Sequence, residues 1–401
     1  MKKIWAGLQW LYTPVNALPI CLAAGFLLPS NAAWSTFFYI IGWPTAVLGV
    51  WRGWRPDWSS RLTVALLALW GWSSLAILWE SAPHGDGYRY WLLSSASTLA
   101  LLLCFFMSVQ AEPKTRERVV TFVIWCAAAA VVLSICLSIF NQQWSGRLGG
   151  WGALHLPVLG AAVIVVCILL TLGRVVQGKF HYLAALAPLL VYMPLNGSRT
   201  ALLALFCAVA LMAASSRKAV LYLVVLMFGA LALCGIIYCL HFGWVDHVIK
   251  DAMARGTDCH LSIWRTAWGL ILKRPLLGYG PSMRLPIEPN GYCPAYPGPH
   301  DIYLSLLLYS GLIGFVLFWL CEATAFIKLL SLSAGLQRRL GLALMAVPLL
   351  AGLTDLNHII KGPSPLWYII WLPLLLVVSL PDSAPKSSGR FPTSSGLPPR
   401  E

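Results

Sequence analysis

Long apolar runs alternate along this chain with short loops, and the lysines and arginines crowd into every second loop. That alternation constrains the fold more than any single motif does. When lipid is the solvent, backbone groups must be satisfied within the chain, and runs this uniformly apolar can do so only as helices, because they lack the in–out alternation of barrel strands. The chain is 59% hydrophobic and 10% charged, too apolar for a fold surrounded by water. About 12 segments approach the length needed to cross a hydrocarbon core: 11–28, 34–51, 62–79, 90–109, 119–140, 153–172, 181–195, 200–214, 219–240, 302–327, 340–356 and 366–380. The expected fold is an all-α, polytopic membrane protein. Residues 1–241 hold transmembrane helices 1–9, 242–300 form one large loop with short helices, 301–380 hold helices 10–12, and 381–401 form a disordered tail rich in Pro and Ser.

Sidedness follows from the charges. One set of loops carries Lys2 and Lys3, then Arg52, Arg55 and Arg61, then Lys114, Arg116 and Arg118, and the pattern continues through Arg174, Lys179, Arg217, Lys218, Lys328, Arg338, Arg339, Lys386, Arg390 and Arg400. The opposite short loops carry only Arg89, Arg147, Arg199 and Lys361. The richer side is cytoplasmic, so both termini are expected there and the large loop faces outward. The first apolar run lacks a small-residue cleavage site and is read as a span rather than a signal peptide. A net charge of +14 is then largely topological. Nucleic-acid binding would need a clustered basic face, and none is present. Most of the 11 cysteines lie in spans as small apolar fillers. Cys259 and Cys293 share the large loop instead, where an oxidising compartment would allow them to pair, and their number alone leaves the paired and free states equally open.

That loop predicts helices at 245–254 and 261–272. The second, LSIWRTAWGLIL, is apolar around most of its circumference with Arg265 in its middle, which suits a helix lying at the bilayer surface. Pro275 ends it, Leu-Gly-Tyr-Gly-Pro at 277–281 makes a tight turn, and the Pro-, Gly- and Tyr-rich stretch to Pro299 is read as an ordered cap over a site.

Three residues on this face bear chemistry. Arg199 opens a helix, where the positive end of the dipole makes a cation locally unfavourable, so a stabilising role is a weak explanation for it. With Ser198 as cap, Asn196-Gly197 as turn and the free amides of the first turn, it forms an anion site; the alternative is an arginine snorkelling to lipid phosphate. Arg265, set among Ile263, Trp264, Ala267 and Trp268, needs an anionic partner to offset its desolvation. His300 opens the next span, where the helix dipole and nearby arginines favour a neutral imidazole able to accept a proton, while Asp301 pulls the other way. Taken alone, His300 also fits a simple helix cap. The other histidines on this side, His84, His247, His260 and His358, lack ligand spacing, so no metal site is assigned. Asp355, His358 and Lys361 cluster near the same face, where they either line the site or, the preferred reading, form a simple polar helix end. Two guanidinium forks and a base suit a lipid-borne polyanion, and a diphosphate in particular, because it gains charge as it leaves. No nucleotide-binding fingerprint occurs, so any energy must come with the substrate.

Three pieces of the chain resemble the O-antigen ligase family: Ser198-Arg199-Thr200 before a Leu-rich span, the Arg265 helix with Pro275-Leu276-Leu277-Gly278-Tyr279-Gly280 after it, and the His300 segment ending in Gly311-Leu312-Ile313-Gly314. The resemblance implies a GT-C-like, inverting glycosyltransferase of the bacterial inner membrane that needs no metal, nucleotide or other cofactor. It would move polysaccharide from undecaprenyl diphosphate to lipid A–core oligosaccharide on the periplasmic side. Arg199 and Arg265 would grip the diphosphate and His300 would act as general base, with Ser198, Asn196, Asp301, Tyr279 and Arg147 expected to contact substrate. One departure is Asp301, where relatives commonly carry Asn. O-antigen polymerases use the same donor and are the near alternative. A lipid-linked oligosaccharide transporter is the alternative from another class, but such a protein should show repeated halves and broken or polar mid-membrane segments.

Overall fold

The computed structural model describes residues 10–80, 87–141, 147–213, 258–286, 298–354 and 356–381. The expected span 219–240, the helix 245–254, His84, His247, Cys293, Asp355, the tail beyond 381 and the side chain of Cys259 lie outside the described residues.

All regular structure among the described residues is helical. In chain order the helices are α1 (Pro14–Leu27), α2 (Asn31–Trp51), α3 (Arg61–Leu75), α4 (Gly87–Ala111), α5 (Thr115–Phe140), α6 (Pro157–Val176) and α7 (Leu183–Asn196). They continue with α8 (Arg199–Ala213), α9 (Asp258–Ile271), α10 (Ile302–Ser331), α11 (Leu336–Ala351) and α12 (Leu372–Val378). Their starts follow ordinary capping chemistry. Ser30 and Ser60 accept from the amides of Ala33 and Thr63 at 3.2 and 3.3 Å, and α1 and α6 begin on prolines whose missing N–H would have been an orphan. Six segments among the described residues are long and apolar enough to cross a membrane: Asn31–Trp51, Arg61–Trp79, Gly87–Ala111, Thr115–Phe140, Pro157–Val176 and Ile302–Ser331. Pro14–Leu27, Phe180–Asn196, Arg199–Ala213 and Trp367–Val378 are shorter apolar helices.

Lipid tails are as apolar as leucine, so close fit and hydrogen bonds, rather than escape from water, hold such a bundle together. α6 is the central post, buried continuously from Gly160 to Val175. Beside it, Phe26 packs at a tilt against Tyr368 at 4.6 Å, and Trp367 meets Trp34 and Phe38 edge-on at 5.5 and 4.7 Å. The buried ring N–H groups find carbonyls: Trp34 donates to Cys21, Trp367 to Lys361 and Trp371 to Ile359 at 2.8–2.9 Å.

α10 departs from the continuous span expected at 302–327. Gly311 sits at φ 66°, ψ −169°, which breaks the helix, and the halves fold back so that the rings of Tyr303 and Trp319 stack at 5.7 Å. In a straight helix they would stand about 24 Å apart at 1.5 Å per residue. The carbonyls orphaned by the break are taken up by the 275–280 segment. Tyr279 and Gly280 donate their amides to Leu308 and Tyr309 at 2.7 and 3.1 Å, and Leu312 donates to Pro275 at 2.8 Å. Irregular backbone in such a bundle is tolerated where protein replaces the lost bonds.

Candidate active site

Arg199 is presented by a tightly built turn. Gly197 closes α7 at φ 65°, a left-handed conformation that glycine adopts without strain. Asn196 is fully buried, and its amide donates to the carbonyls of Leu148 and Pro157 at 3.0 and 2.8 Å. It therefore clamps the loop that carries Arg147 against the end of α7, and Leu148 adds a backbone bond to Leu195 at 3.1 Å. The Nε of Arg147 is enclosed without a partner among the described residues. Ser198 is buried and its Oγ accepts from the Ala201 amide at 3.5 Å, a long capping bond. Arg199 itself is exposed at the first turn of α8.

His300 is held in a strained pose. It is the one non-glycine residue at positive φ (54°) among those described, a conformation that costs of order 1 kcal/mol or more outside glycine. Its amide donates to Oδ1 of Asn357 at 2.6 Å. Next to it, Asp301 caps α10 by accepting from the Leu304 amide at 2.7 Å, and the Ile302 amide donates to the Gly352 carbonyl at 2.7 Å. Before it, Gly298 is packed so closely that a Cβ would stand 2.8 Å from both Asn357 Oδ1 and the Tyr309 hydroxyl.

Gly352, Thr354 and Asn357 thus act as a strap joining two elements distant in sequence. Gly352 and Asn357 hold either side of His300, and between them Thr354 Oγ1 lies 2.9 Å from Thr200 Oγ1, the residue after Arg199. α8 also packs along α11, which leads into the strap.

Arg265 joins the same end of the bundle through α9. Ile263, Ala267 and Ile271 fall on one face and pack with Leu308 and Tyr309 of α10. Trp264 donates its ring N–H to the Pro299 carbonyl at 3.1 Å, directly before His300. The expectation that Arg265 is enclosed by Ile263 and Ala267 needs correction. Two positions along a helix is slightly more than half a rotation, so Arg265 points away from the docked face and is exposed. Tyr279 is fixed by its backbone bond to Leu308, and the Arg274 guanidinium lies 5.0 Å from its ring centre.

Two close glycine contacts make this docking possible. A Cβ at Gly311 would sit 2.0 Å from the Leu276 carbonyl, and one at Gly278 would sit 2.6 Å from the Leu308 carbonyl. Trp72 and Trp79 seal the junction by donating to the carbonyls of Ser310 and Leu277 at 2.9 and 2.8 Å.

Burial sets the titration of the groups around His300. Desolvation pushes the Asp301 carboxyl above the ordinary carboxylate range, against the pull of the Leu304 and Tyr303 amides. His358 stacks on Tyr309 at 4.7 Å, and burial, aided by the charge of Lys361, pushes it down to about 3, so it is neutral near pH 7. His358 and Lys361 therefore belong to a packed loop, not to the polar helix end read from the sequence.

Asn357, Trp264 and Thr354 carry the junction and were not singled out by sequence. The result is two exposed guanidiniums and an imidazole, each within a residue of a bond that ties three chain segments together. Such an arrangement suits an anionic group with a proton acceptor beside it.

The family model described as O-Antigen ligase matches residues 183–319, a stretch that includes Arg199, Arg265 and His300. A curated relative, the "O-antigen ligase" of Pseudomonas aeruginosa, is 30% identical over 340 residues, covering 81% of this chain and 79% of its own length. The order of the three motifs, their convergence and this coverage lead to one conclusion: the chain belongs to the O-antigen ligase family.

Proposed function

We propose that this protein is an inverting glycosyltransferase that ligates O-antigen polysaccharide from undecaprenyl diphosphate onto lipid A–core oligosaccharide, at the periplasmic face of the bacterial inner membrane. Family membership supports ligation of O-antigen onto lipid A–core in general terms. The donor, the roles of the residues and the sidedness are our reading.

In that reading, an acceptor hydroxyl attacks the anomeric carbon of the donor sugar. His300 takes the hydroxyl proton, a new glycosidic C–O bond forms on the opposite face, and the C–O bond to phosphate breaks. The bonding pair leaves with the diphosphate, whose growing charge Arg199 and Arg265 stabilise. The two guanidiniums supply the positive charge that a metal would otherwise bring, and the phosphate leaving group supplies the driving force. Tyr279, Ser198, Asp301 and Arg147 line the approach, and Asn196 shapes it by holding the loop of Arg147 to the turn before Arg199.

The observation that carries the reading is the strap. Through Thr354 and Asn357 it links the residue after Arg199 to the backbone of His300, while Trp264 links the residue before Arg265 to Pro299.

The test uses purified protein, lipid-linked glycan and a chelator, with core oligosaccharide and a second lipid-linked glycan offered together. We expect the core acceptor alone to be extended, at a rate the chelator leaves unchanged. Extension of the second glycan instead would make the enzyme a polymerase, and loss of transfer on chelation would overturn the metal-free mechanism.

A further inference from the structure

The strained backbone at His300 needs something to hold it. A histidine at φ 54° relaxes towards negative φ unless its surroundings fix it, because the left-handed region crowds Cβ against its own backbone. The peptide N–H of His300 is the group whose direction changes when that relaxation occurs, and it is the group gripped by Asn357 Oδ1 at 2.6 Å. We propose that Asn357 is a positioning residue for transfer: its side-chain carbonyl locks the left-handed backbone of His300 and so aims the imidazole at the acceptor hydroxyl. This inference rests on the general-base reading of His300 given above.

Three further observations point the same way. Gly298 leaves no room for a side chain beside Asn357 Oδ1, so only glycine lets the loop pass this close to that oxygen. The Ile302 amide on the far side of His300 is fixed independently by Gly352, so the two ends of the turn are held by separate bonds and the one to the His300 peptide comes from Asn357. Asn357 is also followed by His358, which is wedged against Tyr309 and keeps the asparagine from swinging away. Asn357 touches none of the reacting atoms in this account. It acts through the backbone, which predicts a particular kinetic signature.

The experiment measures kcat, KM for each substrate and thermal stability for Asn357→Ala, Asn357→Asp, His300→Ala and the double variant Asn357→Ala/His300→Ala. Aspartate keeps an oxygen acceptor of the same reach. We expect Asn357→Ala to lower kcat tenfold or more with KM for the lipid-linked donor within about twofold, and Asn357→Asp to recover most of that loss. The double variant should be no slower than His300→Ala alone, since nothing remains to be aimed.

An Asn357→Ala enzyme with the wild-type kcat would overturn the proposal. So would a multiplicative loss in the double variant, or an Asn357→Asp enzyme as slow as Asn357→Ala at unchanged thermal stability. If Asn357→Ala folds poorly, Asn357→Leu, which keeps the bulk and removes the acceptor, decides in its place: a tenfold-lower kcat supports the proposal and a wild-type kcat overturns it. Wild-type turnover by His300→Ala would instead defeat the general-base reading itself.

Discussion

α6 and α10 are both long apolar helices, and they solve their backbone problem in opposite ways. α6 keeps its ladder intact and is buried along almost its whole length, and no candidate site residue comes from it. α10 breaks at Gly311, gives up carbonyls in its middle and borrows replacement donors from the 275–280 segment and from Trp72. An intact helix needs nothing from its neighbours except fit. A broken one must be completed by specific partners, so it pulls distant segments to one point. Here the 275–280 segment brings α9, with Arg265, onto α10, and the start of the same helix, at His300, is tied by the strap to the residue after Arg199.

The contrast can be broken experimentally. The largest expected effect is at the chemistry: His300→Ala should lower transfer by at least about 100-fold, within the usual span for losing a general base, while lipid-linked donor remains bound. Turnover with and without pre-bound donor checks both halves of that claim.

Next is the mend. Gly311→Ala places a methyl 2.0 Å from the Leu276 carbonyl at a positive φ, so the 275–280 segment cannot stay docked. We expect loss of most transfer together with a clear fall in melting temperature. The matching change in α6, Ile164→Ala, opens a cavity at a fully buried site and should cost about 2–5 kcal/mol of stability. Its folded fraction should turn over normally. Equal kinetic damage from the two changes would erase the distinction between scaffold and junction.

A smaller effect is expected from Trp264→Phe, which keeps the ring and removes the N–H that reaches Pro299. A neutral hydrogen bond is worth about 1 kcal/mol, so transfer should fall several-fold with donor binding nearly intact.

The smallest is Asp301→Asn. Asparagine can still cap α10 through its side-chain oxygen but carries no charge. Because folding raises the Asp301 carboxyl, the folded state favours its protonated form, and stability is lost as pH rises through that raised value. Asp301→Asn should match the parent in acid and melt slightly higher than it at neutral pH, as pH-dependent melting would reveal.

How far the sequence was legible follows the same division. Arg199 and His300 stand out because each opens a helix, where the dipole bears on a guanidinium or an imidazole, and Arg265 because its chain neighbours are apolar; loop charge gives the three a common expected face. Their helices were visible as apolar runs. The break in α10 was hidden, because hydropathy averages over Gly311 without registering a change of direction. The signal that would have found it is the pairing of two glycine motifs, Leu277-Gly278-Tyr279-Gly280 and Gly311-Leu312-Ile313-Gly314, each needing the other's close approach. Asn357 was hidden for another reason. Its work is a bond to a backbone amide more than fifty positions earlier, and a lone asparagine in a loop carries no local mark of that. The apolar run places Arg265 in its helix, but its facing depends on neighbours around the helix rather than along the chain.

The claim beneath all of this is that Arg199, Arg265 and His300 form one outward-facing site for a lipid-borne diphosphate. The most direct test replaces each in turn with cysteine, in a background whose own cysteines are removed, and follows labelling by a membrane-impermeant maleimide. The account predicts that all three react from the periplasmic side and that undecaprenyl-diphosphate-linked glycan slows all three together. Labelling of any one from the cytoplasmic side, or protection of one without the others, would contradict it.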